Sequence, residues 1–357
     1  MATTGPVRLG WIEACRGLAA MAVVVYHVVR HFNKNAGLPR LESVVQFGHA
    51  GVDLFFVISG FIILFVHFDD IGEASHIRRY IERRLTRILP AYWVAVALTA
   101  GMALAGGHAT SLRDLAWAIL PVPIFSEPIV GVAWTLQYEF VFYALFAVLI
   151  LHRAIGVGAM LAWLTVIIVS AAWGTVFHVP GAFYSPFCLE FFAGMAVAYR
   201  LHRGELPGYR AILVVGIVFF AVCAGAEDLG WMDGYGSLAR IAYGLASALV
   251  ILGAAETSRE GVARVPSILQ ILGSASYSLY LFQFVFVGIA WKLWLATGLG
   301  ATVSPVIGCV VFCLATLGGG IMMSRLVEYP LMRLIRGAIP GRDMRKGAVV
   351  VPKLPAA

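Results

Sequence analysis

The sequence predicts an all-α polytopic membrane protein with about ten transmembrane helices and both termini in the cytoplasm. Its composition supports this fold class, because 61% of the residues are hydrophobic and only 13% are charged. The mean hydropathy is +0.87. Soluble domains are closer to half apolar and a quarter charged, and a soluble chain of 357 residues has no core large enough to bury this much apolar surface. The composition therefore excludes a soluble globular protein.

The apolar segments give the number of helices. A spanning helix needs about 20 predominantly apolar residues, and we count ten such segments in the chain. They lie near residues 11–31, 48–68, 88–106, 131–152, 155–177, 183–201, 210–228, 236–256, 272–296 and 301–325. Because they occupy most of the chain, we predict one transmembrane domain over 8–336, a basic cytoplasmic tail over 337–357 and no soluble domain.

The placement of lysine and arginine predicts the orientation. The even-numbered connections and the two ends of the chain hold eighteen of these residues, whereas the odd-numbered connections hold four, Arg30, Lys34, Arg40 and Arg113. Cytoplasmic segments carry such an excess, so we expect both ends inside. The net charge of +7 then reflects topology, and we expect no nucleic-acid partner.

The first predicted helix carries two polar residues on one face. In RGLAAMAVVVYH, residues 16–27, an arginine and a histidine flank ten mostly aliphatic residues. At 3.6 residues per turn, Arg16 and His27 share a helix face and lie about 16 Å apart along it. An arginine at the bilayer centre costs about 2.5–3.5 kcal/mol on insertion scales. In the predicted orientation, Arg16 lies in the cytoplasmic third of the bilayer and His27 in the outer third.

Other ionisable residues are expected at the depth of His27. The segment GHAGVDLFFVISGF puts His49 and Asp53 in the outer third, one turn apart on one face. The fourth and sixth helices add Trp134, Tyr138, Glu139 and Glu190. Ionisable groups in lipid normally mark a pathway or a reaction site. Each residue alone is consistent with a buried hydrogen-bonding role, but together they predict an acid/base cluster near the outer surface.

A cluster of arginines is expected at the opposite depth. The segment IRRYIERRLTRILP holds five arginines and one glutamate, with Arg84 and Arg87 on one side of a helical turn. Glu328, in LVEYP, falls near this level. Positive-inside topology and contact with anionic lipid account for the cluster, and so does a phosphate clamp, because guanidinium groups bind phosphate oxygens bidentately. A long anionic molecule that enters here, such as an acyl-coenzyme A ester, would reach the outer cluster with its far end.

Several motifs follow one another in a fixed order. They are Arg-x10-His on the first helix, GVDLFFVISGF on the second, RRLTRILPAYW before the third, WTLQYEF on the fourth, SYSLYLFQF on the ninth and EYP after the tenth. With this set, the chain resembles the membrane-bound acyltransferase type 3 family over residues 8–332. The resemblance implies transfer of an acyl group, usually acetyl, from cytoplasmic acyl-CoA to a carbohydrate hydroxyl, which faces the outside or is carried on a lipid. It also implies an integral multi-pass protein of the stand-alone, exopolysaccharide-modifying form, which is expected in the bacterial cytoplasmic membrane.

The resemblance also assigns individual residues. The family's essential histidine matches His27, and its partner arginine matches Arg16. Further matches are Arg84, Arg87, Trp134, Glu139 and Glu328. The motif on the ninth helix commonly ends with histidine where this chain has Gln283, so Gln283 is left out of the expected catalytic set.

We therefore predict direct acyl transfer with acetyl-CoA as donor. His27 acts as general base on the acceptor hydroxyl, which attacks the thioester carbonyl, and Asp53 or Glu139 orients the imidazole. Arg16, Arg84 and Arg87 hold the phosphates of the coenzyme. The expected substrate-binding or supporting residues are Trp134, Tyr138, His49, Glu190 and Glu328. A route through an acetylated His27 stays open. No metal is expected, since the five cysteines lie in apolar segments as small core residues.

Two other functions are consistent with parts of the pattern. A proton-coupled transporter of a sugar or an anionic solute would also use intramembrane histidine and carboxylates, although the ten helices show no half-repeat. A non-catalytic lipid-binding or scaffold protein would explain the basic segment but not the predicted outer cluster. The acceptor, the acyl chain length and the oligomeric state stay open at this stage.

Overall fold

Helices make up nearly all of the chain that the structure, a computed structural model, describes. The described residues are 7–37, 39–108, 110–123, 128–173, 179–261, 264–337 and 350–351. The α-helices are α1 Gly10–Ala36, α2 Pro39–Val45, α3 Gly51–His67, α4 Ile77–Ala105, α5 Leu112–Trp117, α6 Trp134–Leu151, α7 Arg153–Trp173, α8 Cys188–His202, α9 Tyr209–Asp228, α10 Ser237–Glu260, α11 Ser267–Thr297, α12 Pro305–Met323 and α13 Tyr329–Gly337. Two-residue strands, β1 Val7–Arg8 and β2 Val350–Val351, form an antiparallel pair. The predicted all-α fold class is confirmed.

The number of membrane-spanning helices is also as predicted. In the described ranges, ten helical segments are long and apolar enough to cross a membrane. Several boundaries differ, and the largest difference is at α4, which begins at Ile77 rather than near residue 88. The arginine-rich segment is thus the first part of a spanning helix and not a connection, and an ion pair between Arg78 and Glu82, one turn apart, supports this extension. Most of the predicted tail, 337–357, lies outside the described residues.

Small residues let α1 pack closely against α11. A side chain on Gly17 would come within 2.6 Å of the backbone nitrogen of Gly273, so the two backbones are in contact, as is common between membrane helices. At the other end of this contact, His27 meets Gln283. The two helices therefore run in the same direction, and the face of α1 that carries Arg16 and His27 follows α11 from Leu272 onward.

Helix α3 runs in the opposite direction to α1 and brings a second polar face to it. Gly51, at the start of α3, packs against Ala19 and Val23 of α1. Further along, a side chain on Gly60 would overlap the carbonyl of Phe191 on α8. We name the two ends of this bundle by their residues: the arginine end holds Arg16, Arg84 and Arg87, and the histidine end holds His27, His49 and Asp53.

Candidate active site

A cavity opens among α1, α3, α4, α6 and α11 at the arginine end. Its volume is about 110 Å³, several times the space that one water molecule needs. The polar lining residues are Arg16, Ser59, Arg84, Arg87, Thr135, Glu139, Tyr143, Ser276, Tyr277 and Tyr280. Apolar side chains complete the wall, among them Phe55, Phe56 and Ile62. The cavity thus combines cationic groups with a surface that is largely apolar by area.

The structure brings the three sequence-predicted arginines together in this cavity. Arg16 comes from α1, and Arg84 and Arg87 come from α4. Among the described residues, none of the three forms a salt bridge with a carboxylate. The Nε atom of Arg84 and the hydroxyl of Ser276 are buried without a hydrogen-bond partner in the structure. Unsatisfied donors beside three cations that form no salt bridge with a described carboxylate favour the binding of an anionic ligand.

Glu139 lies in the cavity and not in the predicted acid/base cluster beside His27. Its carboxylate accepts a hydrogen bond from the hydroxyl of Ser59. Because Ser59 follows Asp53 by six residues on α3, it lies about 9 Å further toward the arginine end. The expectation that Glu139 shares the depth of His27 is therefore wrong, since that depth was inferred from distance along the chain and not from helix packing.

His27 is held by a residue that the sequence analysis left aside. Its Nδ1 atom lies 3.0 Å from Oε1 of Gln283, and its ring packs edge-on against Phe284, with 4.9 Å between the ring centroids. The prediction that Asp53 or Glu139 orients the imidazole is not supported, because these carboxylates bind Arg240 and Ser59 instead. The sequence did contain a signal for this role, because Gln283 is a polar residue within an apolar predicted helix.

Asp53 and His49 meet at the histidine end through an arginine of α10. Arg240 donates to Asp53 and to the carbonyl of Gly234, and its Nη2 lies 3.3 Å from Nδ1 of His49. On the other side of the ring, Nε2 of His49 lies 2.8 Å from the carboxylate of Glu227 on α9. We call Asp53, Arg240, His49 and Glu227 the buried ion network.

Tyrosine side chains pack around the buried ion network. Tyr243 donates to Glu227 over 2.7 Å, and Tyr235 stacks on His49, with 4.6 Å between the ring centroids. The hydroxyl of Tyr235 hydrogen-bonds to that of Tyr26, the neighbour of His27. Tyr235 lies in the connection between α9 and α10, and partial burial together with the hydrogen bond to Tyr26 raises the pKa of its hydroxyl.

Arg240 and Glu227 were missed from the sequence, although the signal was present. Both are charged residues within predicted spans, Arg240 near the start of the eighth and Glu227 near the end of the seventh. Glu190, which was predicted, lies against Asp53 within hydrogen-bonding reach. Of the residues in the predicted acid/base cluster, His49, Asp53 and Glu190 therefore lie together, but around Arg240 and not around His27.

The remaining predicted residues support these two regions. Trp134 and Tyr138 pack edge to face, with 5.3 Å between the ring centroids, and Tyr138 stacks on Phe56 of the cavity wall. Phe187 joins this aromatic group and lies under the guanidinium of Arg240 at 4.8 Å. The group therefore separates the cavity from the buried ion network, and neither Trp134 nor Tyr138 lines the cavity.

Glu328 anchors the arginine end. It lies in a π-helical turn, Ser324–Glu328, and accepts a 2.6 Å hydrogen bond from Ser278 of α11. Such turns often occur at functional sites. Glu328 and Arg87 both act electrostatically on Arg16. In the part of the chain that the structure describes, no group of three or more histidine, cysteine, aspartate or glutamate side chains is arranged to hold a metal ion.

Comparison with known proteins identifies the family. A family model described as an acyltransferase domain matches residues 9–325, and the chain belongs to this acyltransferase family. It is also similar to the exopolysaccharide production protein ExoZ of Rhizobium meliloti (strain 1021), with 31% identity over 300 residues that cover 80% of this chain and 90% of the relative. No solved structure matches the chain. The protein is thus a multi-pass membrane acyltransferase, which agrees with the resemblance seen in the sequence.

Proposed function

We propose that this acyltransferase moves an acetyl group from acetyl-CoA to a carbohydrate hydroxyl during exopolysaccharide synthesis. The arginine-lined cavity is the observation that supports the donor most directly. Coenzyme A carries several phosphates at one end and a long, narrow arm with the thioester at the other. Three arginines that form no salt bridge with a described carboxylate, in a cavity whose surface is mostly apolar, match that distribution of charge.

The arrangement along α1 suggests how the donor lies. Arg16 and His27 share one face and are about 16 Å apart along the helix. Tyr280 lines the cavity, and Gln283, three residues further along α11, holds His27. A donor with its phosphates on Arg16, Arg84 and Arg87 then extends its arm toward His27. The carboxylate of Glu139 then accepts a hydrogen bond from an amide N–H of the arm.

The direction of entry rests on the predicted topology. With both termini in the cytoplasm, the arginine end faces the compartment that contains acyl-CoA, and the histidine end faces outward. The acceptor would then approach His27 from the outer surface. Similarity to an exopolysaccharide production protein supports a carbohydrate acceptor, either free or on a lipid carrier. The bacterial cytoplasmic membrane is the location consistent with this arrangement.

The proposed reaction is a direct transfer. The imidazole of His27 removes the proton of the acceptor hydroxyl as its oxygen attacks the thioester carbonyl. Collapse of the tetrahedral intermediate breaks the C–S bond, forms the acetyl ester and releases the coenzyme as a thiolate. The imidazolium then returns its proton to that sulfur, so charge and protons balance. Asp53, through Arg240, supports the packing of α3 and α10 rather than the chemistry.

Binding and slow hydrolysis of acetyl-CoA by detergent-purified protein test this proposal. We expect wild type to bind acetyl-CoA and to release free coenzyme slowly, His27→Ala to bind without turnover, and Arg16→Ala to bind poorly. Arg78→Ala is the matched control, because Arg78 lies on the same helix as Arg84 and Arg87 but is exposed and outside the cavity. The absence of acetyl-CoA binding to wild type would contradict the proposed donor, and equal binding by the Arg16 and Arg78 variants would contradict the phosphate clamp.

A further inference from the structure

Gln283 is buried beside His27, and its amide is held in one orientation. Only 1% of its surface is exposed. Its Nε2 atom donates over 2.8 Å to the backbone carbonyl of Tyr280. A carbonyl oxygen accepts hydrogen bonds and cannot donate them. The NH2 side of the amide must therefore face Tyr280, which turns the oxygen Oε1 toward His27.

This orientation determines where the proton of the neutral imidazole lies. Oε1 of Gln283 is 3.0 Å from Nδ1 of His27, and an amide oxygen is only an acceptor. Nδ1 must therefore carry the hydrogen. In a neutral imidazole the other nitrogen, Nε2, then holds the free lone pair.

We infer that Gln283 is a positioning residue that fixes His27 as the Nδ1–H tautomer and so makes Nε2 the basic atom. The inference rests on the proposed role of His27 as general base and adds which atom takes the acceptor's proton. Oriented imidazoles in enzymes depend on such a partner at the second nitrogen. Here a neutral amide holds the second nitrogen, where the sequence predicts a carboxylate.

The neighbourhood of His27 is consistent with this assignment. The Phe284 ring packs against the imidazole edge-on and offers no competing hydrogen bond. Tyr26 uses its hydroxyl for Tyr235 and Arg30. The imidazole of His49 is occupied by Glu227 and Arg240. Among these neighbours, Gln283 is the side chain whose hydrogen bond reaches a ring nitrogen of His27, and the backbone of Val23, one turn earlier on α1, also hydrogen-bonds the imidazole.

Three substitutions separate tautomer control from packing. Gln283→Leu keeps the approximate volume but removes the acceptor. Gln283→Glu restores an acceptor, because a carboxyl oxygen accepts from Nδ1–H whether the group is ionised or neutral. Gln270→Leu is the control: Gln270 lies on the same helix and also donates to a backbone carbonyl, that of Val265, but it is exposed and distant from His27.

The kinetic test compares turnover of acetyl-CoA with its binding. We expect Gln283→Leu to lower kcat on the order of 100-fold, the lower end of what a general base contributes, with the Kd for acetyl-CoA within about twofold of wild type. Gln283→Glu should recover most of the loss, and Gln270→Leu should match wild type. Unchanged turnover in Gln283→Leu, or equal losses in the Leu and Glu variants, would overturn the inference.

A spectroscopic test does not depend on activity. In protein labelled with 15N-histidine, at alkaline pH where free imidazole is neutral, the signals missing from His27→Gln identify the His27 ring. We expect a protonated Nδ1 and an unprotonated Nε2 in wild type and in Gln283→Glu, and a mixture in Gln283→Leu. A protonated Nε2 in wild type would refute the inference even if the proposed acetyl transfer is correct, whereas failure to bind acetyl-CoA would refute that function and leave the tautomer assignment standing.

Discussion

The cavity at the arginine end and the buried ion network at the histidine end hold arginine in opposite ways. Arg240 is 2% exposed and has a carboxylate, a backbone carbonyl and two aromatic faces around it. Arg16, Arg84 and Arg87 lie near one another, and no salt bridge to a described carboxylate neutralises them. In the part of the chain that the structure describes, Arg240 is therefore paired with a carboxylate, although its Nε and the Oδ1 atom of Asp53 have no hydrogen-bond partner, whereas the cavity arginines have no salt bridge at all.

The arginines of the two regions are therefore expected to have different roles, in stabilising the fold at the histidine end and in binding a ligand at the arginine end. A buried ion pair whose partner is removed leaves an uncompensated charge in a medium of low dielectric constant. Three neighbouring cations repel one another, the carboxylate of Glu139 in the same cavity offsets part of this repulsion, and a polyanion would relieve more of it. Losing an arginine should therefore harm folding at the histidine end and ligand binding at the arginine end.

The largest effect is expected for Arg240→Leu. This change leaves Asp53 buried without its cation, so the free energy of unfolding should fall by about 3–5 kcal/mol. Unfolding in mixed detergent micelles measures the loss, with Arg78→Leu as the exposed control. Adding Asp53→Asn to Arg240→Leu should cost less than the two single changes together, and strict additivity would argue against a direct pair.

Arg87→Leu should affect binding and not stability. A lost hydrogen bond between charged groups is worth about 1.5–3 kcal/mol, which corresponds to roughly a 10- to 100-fold weaker Kd for acetyl-CoA. The melting temperature should stay the same or rise, because repulsion with Arg16 is relieved. Titration calorimetry and thermal unfolding of one preparation measure the Kd and the melting temperature. A large loss of stability would show that Arg87 stabilises the fold, as Arg240 does.

Ser59→Ala should have a smaller effect within the cavity. It removes the hydrogen bond that holds Glu139, a contact of about 1 kcal/mol, or about fivefold in the rate of acetyl-CoA turnover. Ser274→Ala is the control, since Ser274 is exposed on α11 and bonds only its own helix. An identical rate in both variants would show that Glu139 needs no such support.

Glu190→Gln should have the smallest effect. Both carboxyl oxygens of Glu190 lack a hydrogen-bond donor in the structure, and the side chain lies against Asp53. Two adjacent carboxylates beside one arginine are best accommodated when they share a proton. An amide, which donates to Asp53 in place of that proton, should leave the melting temperature nearly unchanged, while Glu190→Leu should lower it. A large loss in the Gln variant would mean that the ionised form is needed.

The fold could be predicted because it depends on local properties. Ten apolar segments of sufficient length specify ten spanning helices whatever their packing. The shared face of Arg16 and His27 follows from helix geometry alone. Arg84 and Arg87 were placed together because they lie three residues apart on one helix.

The partners of the polar groups could not be predicted in the same way. Depth estimated along the chain put Glu139 beside His27, but contact with Ser59 on α3 places it among the arginines. The pairing of Asp53 with Arg240 joins residues 187 positions apart and depends on how α3 and α10 pack. Gln283 was left aside because the resemblance pointed to histidine there, although an amide is able to hold an imidazole equally well.

The measurement that tests the central claim most directly compares the affinities of acetyl-CoA and S-acetyl-pantetheine, which has the same thioester arm without the phosphates. Wild type should bind acetyl-CoA much more tightly, and the difference should collapse in a combined Arg84→Leu and Arg87→Leu variant, while Arg78→Leu keeps it. Equal affinity of wild type for the two compounds would contradict the account, because the arginine end would then not recognise phosphate.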